Sequence, residues 1–284
     1  MTMMINILWY FFIYAFLGWC TEVVYAALKT GSFANRGFLN GPACPIYGFG
    51  ILLVIHLLNP VKDNVLYMFL GSVIITSAIE FVGGYALEKM FHERWWDYSD
   101  MPFNVGGYIC PMYSLAWGLA CLVIVDRIQP LIHSLVNLIP QTASMVILVV
   151  VSCLFIVDLI ATVKSVLNLN KKLEIIDEIT LKIREASDNI GESLASGTIA
   201  LVQKKEDFEE SLEADLAEMK EAQQEVSAHR KQAINELMKA NRELLEAIPF
   251  GQKRLLKAFP GLKSIKHKDA LEKLRDTISK GFGS

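Results

Sequence analysis

The sequence has no cysteine after Cys153 and no Lys or Arg before Lys29. The first absence leaves Cys20, Cys44, Cys110, Cys121 and Cys153 in the apolar part of the chain. That argues against a disulfide framework, and buried thiols acting as small hydrophobes are the ordinary reading. The second absence bears on the apolar run from Ile5 to Ala27, which exceeds a signal-peptide core and is expected to be a retained span. No G-x-x-x-x-G-K-[ST] run occurs, so the chain does not hydrolyse ATP through that loop. A G-x-S-x-G elbow and an H-E-x-x-H pair are also missing, which removes two common hydrolase arrangements.

What is present divides the chain. Hydrophobic residues make up 53% of the sequence, concentrated in residues 1–163, whereas most of the charged residues fall in residues 164–284. The net charge of −3 averages these unlike parts and carries little information. A membrane protein with a soluble extension fits better than a soluble globule. Five apolar segments are expected to span: 5–27, 43–58, 65–87, 109–126 and 142–163. Lys29 and Arg36, Lys89 and Arg94, and Lys164, Lys171 and Lys172 follow the odd-numbered spans, while the other connections offer Lys62 and Arg127. The basic excess belongs inside, placing the N-terminus outside and the C-terminus in the cytoplasm of a multi-pass membrane protein.

A four-residue device occurs twice, Cys44-Pro45-Ile46-Tyr47 and Cys110-Pro111-Met112-Tyr113, each after a glycine-rich lead and each opening an apolar run. Proline suits the first turn of a helix, where its missing N–H would have no partner. Glu22 precedes the first copy and Glu80 the second. The chain thus reads as two tandem hairpins of like direction plus a fifth span, a repeat of the kind that frames a central site in transporters. Both Cys-Pro starts fall at the inner leaflet in this topology. Each thiol is expected to cap its helix start, with soft-metal ligation the weaker alternative.

Beyond Lys164, residues 164–248 read as cytoplasmic coiled-coil helix. Leu173, Ile176, Ile183, Ile190, Leu194, Leu201 and Phe208 fit heptad core positions, and Leu212, Leu216, Met219, Val226, Leu237 and Leu244 resume the pattern after a shift. Self-association and an intrachain hairpin both satisfy it. Residues 249–284 are basic and interleaved with apolar side chains. They read as an amphipathic tail for an anionic membrane surface or as a solvated helix, and nucleic acid is not expected as a partner. The overall expectation is an all-α polytopic bundle of about five transmembrane helices with a C-terminal cytoplasmic coiled coil.

Carboxylates inside spans are costly, roughly 2.5 kcal/mol or more near the centre, so Glu22 and Glu80 need partners. Arg36 and Arg94 are the expected ones, as structural ion pairs or as parts of a ligand or proton site. The same arginines, beside two helix N-termini, could receive an anion or simply meet lipid headgroups. Asp158 is expected at the interface. The loop around His92, Glu93 and Asp97 has no recognised metal spacing, and its Trp and Tyr residues fit an interfacial belt. No cofactor is expected.

Gly18-Trp19 with Glu22 and Tyr25, Asn35-Arg36-Gly37-Phe38-Leu39-Asn40-Gly41-Pro42 with Cys44-Pro45-Ile46-Tyr47-Gly48, Glu80 with Gly84-Tyr85 and Glu88-Lys89, and Trp95-Trp96-Asp97-Tyr98 with Phe103-Asn104 together resemble a bacterial membrane family, "putative ABC transporter permease, type IV". The resemblance covers about residues 18–118. Its name implies a separate ATPase partner. The candidate substrate-binding set is Glu22, Arg36, Asn40, Tyr47, Glu80, Arg94, Asp97, Asn104 and Tyr113. The leading expectation is a permease-like protein taking an anionic or amphiphilic solute at the inner leaflet. Alternatives are a membrane-anchored scaffold that recruits or dimerises partners through residues 164–248, and a lipid-acting intramembrane enzyme using Glu22 or Glu80.

Overall fold

The computed structural model describes residues 2–31, 33–207 and 212–281, and these are mostly helical. The N-terminal helix α1 is Thr2–Thr30, α2 is Pro45–Leu58 and α3 is Val65–Phe91. Helix α4, Pro111–Val123, runs through a π-turn at Ile124–Ile128 into α5, Gln129–Asn137. Four helices are long and apolar enough to cross a membrane: Met3–Thr30, Val65–Phe91, Pro111–Asn137 and Gln141–Asn189. The segment expected as a second span is a shorter apolar helix, α2 with a 3-10 turn to Val61.

Pro45 and Pro111 occupy the first turns of α2 and α4, after extended residues Cys44 and Cys110. Neither thiol caps its helix. Their carbonyls accept the first amides instead, Tyr47 on Cys44 and Ser114 on Cys110. The expectation of thiol caps is therefore corrected to backbone caps, since the carbonyl is the stronger acceptor already in position.

Small residues let these helices approach. A Cβ added at Gly18 would lie 2.3 Å from the Tyr47 ring, and one at Gly118 would lie 2.4 Å from Val73. Ser77 donates to Ser114 across α3 and α4 at 2.8 Å. Such contacts are the usual means of helix association where lipid is the solvent. Tyr14, Ile51, Val54, Met68, Cys121 and Ile132 form a core joining α1 to α5.

The chain divides into two compact units, Met1–Leu169 with Pro249–Lys266, and Asn170–Ile248 with His267–Ser284. In the first, α8 (Phe250–Ala258) precedes β2 (Lys263–Ser264), which pairs antiparallel with β1 (Glu93–Arg94). Helix α6, Gln141–Asp207, begins in the first unit and continues into the second, helical through Gly191 and Gly197. The second unit also holds α7, Leu212–Glu246, and α9, Lys268–Gly281. Leu173 and Ile176, the first heptad residues, are fully buried there. Lys172 Nζ donates to the Ala247 carbonyl at 2.5 Å and Arg230 donates to that of Asn189 at 3.4 Å. Both pairs share one antiparallel register centred midway between Asp207 and Leu212. Phe208 lies outside the described residues, as do the side chains of Ile190, Leu194, Leu201, Leu212, Leu216, Met219 and Val226.

Candidate functional site

The loop into α2 is built around Asn35. Its Oδ1 accepts from Trp19 Nε1 at 2.6 Å and from the Gly37 amide, and its Nδ2 donates to the Asn40 carbonyl. The amides of Asn40 and Gly41 donate to Asp158, and Asn40 Nδ2 donates to Asp158 Oδ1 at 2.9 Å and to Thr162. Asp158 therefore does more than sit at an interface: its carboxylate accepts two successive loop amides, those of Asn40 and Gly41. This loop turns Arg36 toward Glu22, Nε to Oε2 at 3.5 Å, and over the Tyr25 ring. Tyr47 donates to the other Glu22 oxygen at 2.6 Å.

The loop into α4 bonds mainly to itself. Asn104 Nδ2 donates to the carbonyls of Ser99 and Met101, and its Oδ1 accepts from the Gly107 amide. Gly107 has φ +76°, and an added Cβ would stand 2.7 Å from Asp97 Oδ1, so only glycine fits. Arg94 does not pair with Glu80 as expected. Its Nε lies 2.6 Å from Glu88, Asp97 stands at 3.6 Å, and Tyr108 lies beneath the guanidinium. Glu88 is closer along the chain and faces Arg94 across the left-handed turn at His92 (φ 55°). Burial opposes ionisation of Asp97, yet hydrogen bonds from Lys263 and Ser99 outweigh it and hold the carboxyl at about 2.

Glu80 takes a different donor, the Tyr98 hydroxyl at 3.0 Å. Its other oxygen, Oε2, is buried without a hydrogen-bond partner among the described residues. Tyr98 stacks on Tyr113 at 4.8 Å between centroids, and Tyr47 meets Trp117 of α4 edge-on. Burial, followed by the Glu80 carboxylate, pushes the Tyr98 hydroxyl well up. Tyr113 and Trp117, four residues apart on α4, thereby bring the Tyr98 and Tyr47 rings against one helix. The two hairpins thus bring Glu22, Tyr47, Glu80 and Tyr113 into one acid–tyrosine cluster, while Asn40, Arg94, Asp97 and Asn104 serve the loops.

Tyr98 was legible as part of an aromatic belt and of the Trp95-Trp96-Asp97-Tyr98 run, neither of which pointed to Glu80. Asp158 carried a signal that pointed further, a carboxylate in an apolar span that must find donors. Arg254 and Lys263, which engage the two loops, lie in the basic tail and had no distinguishing pattern. No three His, Cys, Asp or Glu side chains come together as a metal site among the described residues.

Long apolar helices joined by self-bonded loops, with acids held inside the bundle, define a multi-pass membrane protein. The chain belongs to the family described as "Putative ABC-transporter type IV", whose model matches residues 9–163, more than half of its length. The matched stretch contains residues 18–118, where the resemblance was read, and extends it to residues 9–163. No curated protein and no solved structure matches the chain.

Proposed function

We propose that the chain is the membrane-spanning part of a permease-type transporter and that the acid–tyrosine cluster is where it binds its solute or a coupling proton. One observation carries this reading. The acids of both hairpins are bonded to tyrosines that pack on α4, and among the described residues Glu22 also has an arginine whereas Glu80 keeps a tyrosine and an oxygen without a hydrogen-bond partner. A carboxylate held in apolar surroundings with spare acceptor capacity suits a proton or the positive or N–H-donating head of an amphiphilic solute. An anionic solute fits less well, because Arg36 and Arg94 are already engaged by Glu22 and Glu88.

In this reading α2 is a short fifth span, the basic loops place both helix starts at the inner leaflet, and the N-terminus lies outside. The family description supports a separate ATPase, since this chain has no phosphate-binding loop of its own. The test is flux in proteoliposomes. Glu80→Gln and Glu22→Gln should each reduce pH-driven proton movement or solute uptake, and wild-type flux in both variants would sink the proposal.

A scaffold role has its own support in the paired helices of the second unit, where the Lys172–Ala247 and Arg230–Asn189 contacts favour an intrachain coiled coil over self-association. Copurification from the native membrane separates the two readings. An ATPase that remains bound after removal of residues 170–248 favours the transporter, whereas partners lost with those residues favour the scaffold.

A further inference from the structure

Residues 249–266 belong to the first unit, yet they are flanked on both sides by residues of the second. They reach both loops that lead into the Cys-Pro helices. Arg254 donates to the carbonyls of Gly37 and Phe38, each at 3.0 Å. Lys263 Nζ donates to Asp97 at 2.6 Å, β2 pairs with β1, and the Ile265 amide donates to the His92 carbonyl at 3.0 Å. Three rings link the same parts: Trp95 of the second loop packs edge-on against Phe38 of the first and against Phe259 of the segment. Leu255, Leu256 and Leu262 are buried beneath it. Just outside the segment, the Ala247 carbonyl is held by Lys172 and His267 by Asp177.

We propose that residues 249–266 are a strap that holds the two loops together and so limits access to the acid–tyrosine cluster, a regulatory contact that rests on the transport reading of that cluster. The polar ties described here fall on loops. These ties can break while each loop stays joined to its helix, although release also exposes Leu255, Leu256 and Leu262. The guanidinium also does what no apolar residue could: it satisfies two carbonyls of a loop whose amides are held from elsewhere by Asp158.

The native thiols at the two helix starts report on the strap, because Cys44 and Cys110 are buried at the ends of the two loops. Full-length protein in vesicles is treated with N-ethylmaleimide and the labelled cysteines are counted by mass spectrometry. Arg254→Gln combined with Lys263→Gln should label Cys44 and Cys110 on the order of tenfold faster than wild type, while Cys121 in the helix core keeps its rate. Should Cys121 accelerate too, the fold has failed and a second variant decides. Glu93 and Ser264 are paired across β1 and β2, so Glu93→Cys with Ser264→Cys, oxidised, should lock the strap and slow both labels below wild type. Unchanged rates in the lock, or in a folded Gln variant, overturn the strap. Labelling needs no solute, so thiol rates that respond while proton flux stays absent would sink the transport reading and leave the restraint standing.

Discussion

Among the described residues, the Tyr98 hydroxyl is the hydrogen-bond donor that Glu80 has. Tyr98→Phe should therefore cost more than Tyr47→Phe, whose target Glu22 keeps Arg36. The expected losses in detergent thermal unfolding are about 1–3 kcal/mol for the first and about 1 kcal/mol for the second. Equal losses would mean that Arg36 contributes nothing to Glu22. Asp97 allows a sharper statement with pH. Its carboxyl sits at about 2 against an ordinary 3.8, so its bond to Lys263 contributes fully above the ordinary value and is lost as pH falls through about 2. Lys263 is raised by the same bond, so the pair survives until pH exceeds the ordinary lysine value of 10.5. Hydrogen exchange of residues 249–266 should be insensitive to this pair between those limits and rise in acid, less steeply at high salt because Lys263 is exposed. The acids were legible in the sequence, since charge in an apolar run is conspicuous. Arg36 was legible as the partner of Glu22, but the partner of Glu80 was not, because nearness in the chain does not say that Arg94 will turn back to Glu88.

At the scale of elements, the Cys-Pro starts were read correctly as helix openings, and the physical reason is local: a proline tolerates only a few positions in a helix. The β1–β2 ladder had no such signal. Two residues on each side are too few for an alternating pattern, and the partners lie far apart in sequence. The same limit hid the packing glycines, whose neighbours are set by the tertiary fold. Gly118→Ala should force α4 from α3, because the new methyl would sit 2.4 Å from Val73 Cγ2. A loss of about 1–3 kcal/mol is expected, and a neutral result would show that α3 and α4 shift freely in the bilayer. The helix through Gly191 and Gly197 is the opposite case. A glycine inside a helix costs about 1 kcal/mol relative to alanine, yet the chain remains helical there.

Taken whole, the molecule has two units and a chain that leaves the second, visits the first and returns. Leu173 and Leu274 are each fully buried within the second unit. Leu173→Ala with Leu274→Ala should cost roughly 2–5 kcal/mol per site. Hydrogen exchange should then rise throughout residues 170–248 while the helices of residues 3–137 keep their protection. Loss of protection in both would show a single cooperative fold. The order of the parts along the chain also governs how each copy is made. The family-matched stretch ends at residue 163 and Pro249 comes much later, a lag on the order of ten seconds at ribosomal speed. On the strap proposal each nascent chain spends that interval unlatched, and Cys44 and Cys110 should react faster with maleimide on a chain stalled before Pro249 than on the full chain.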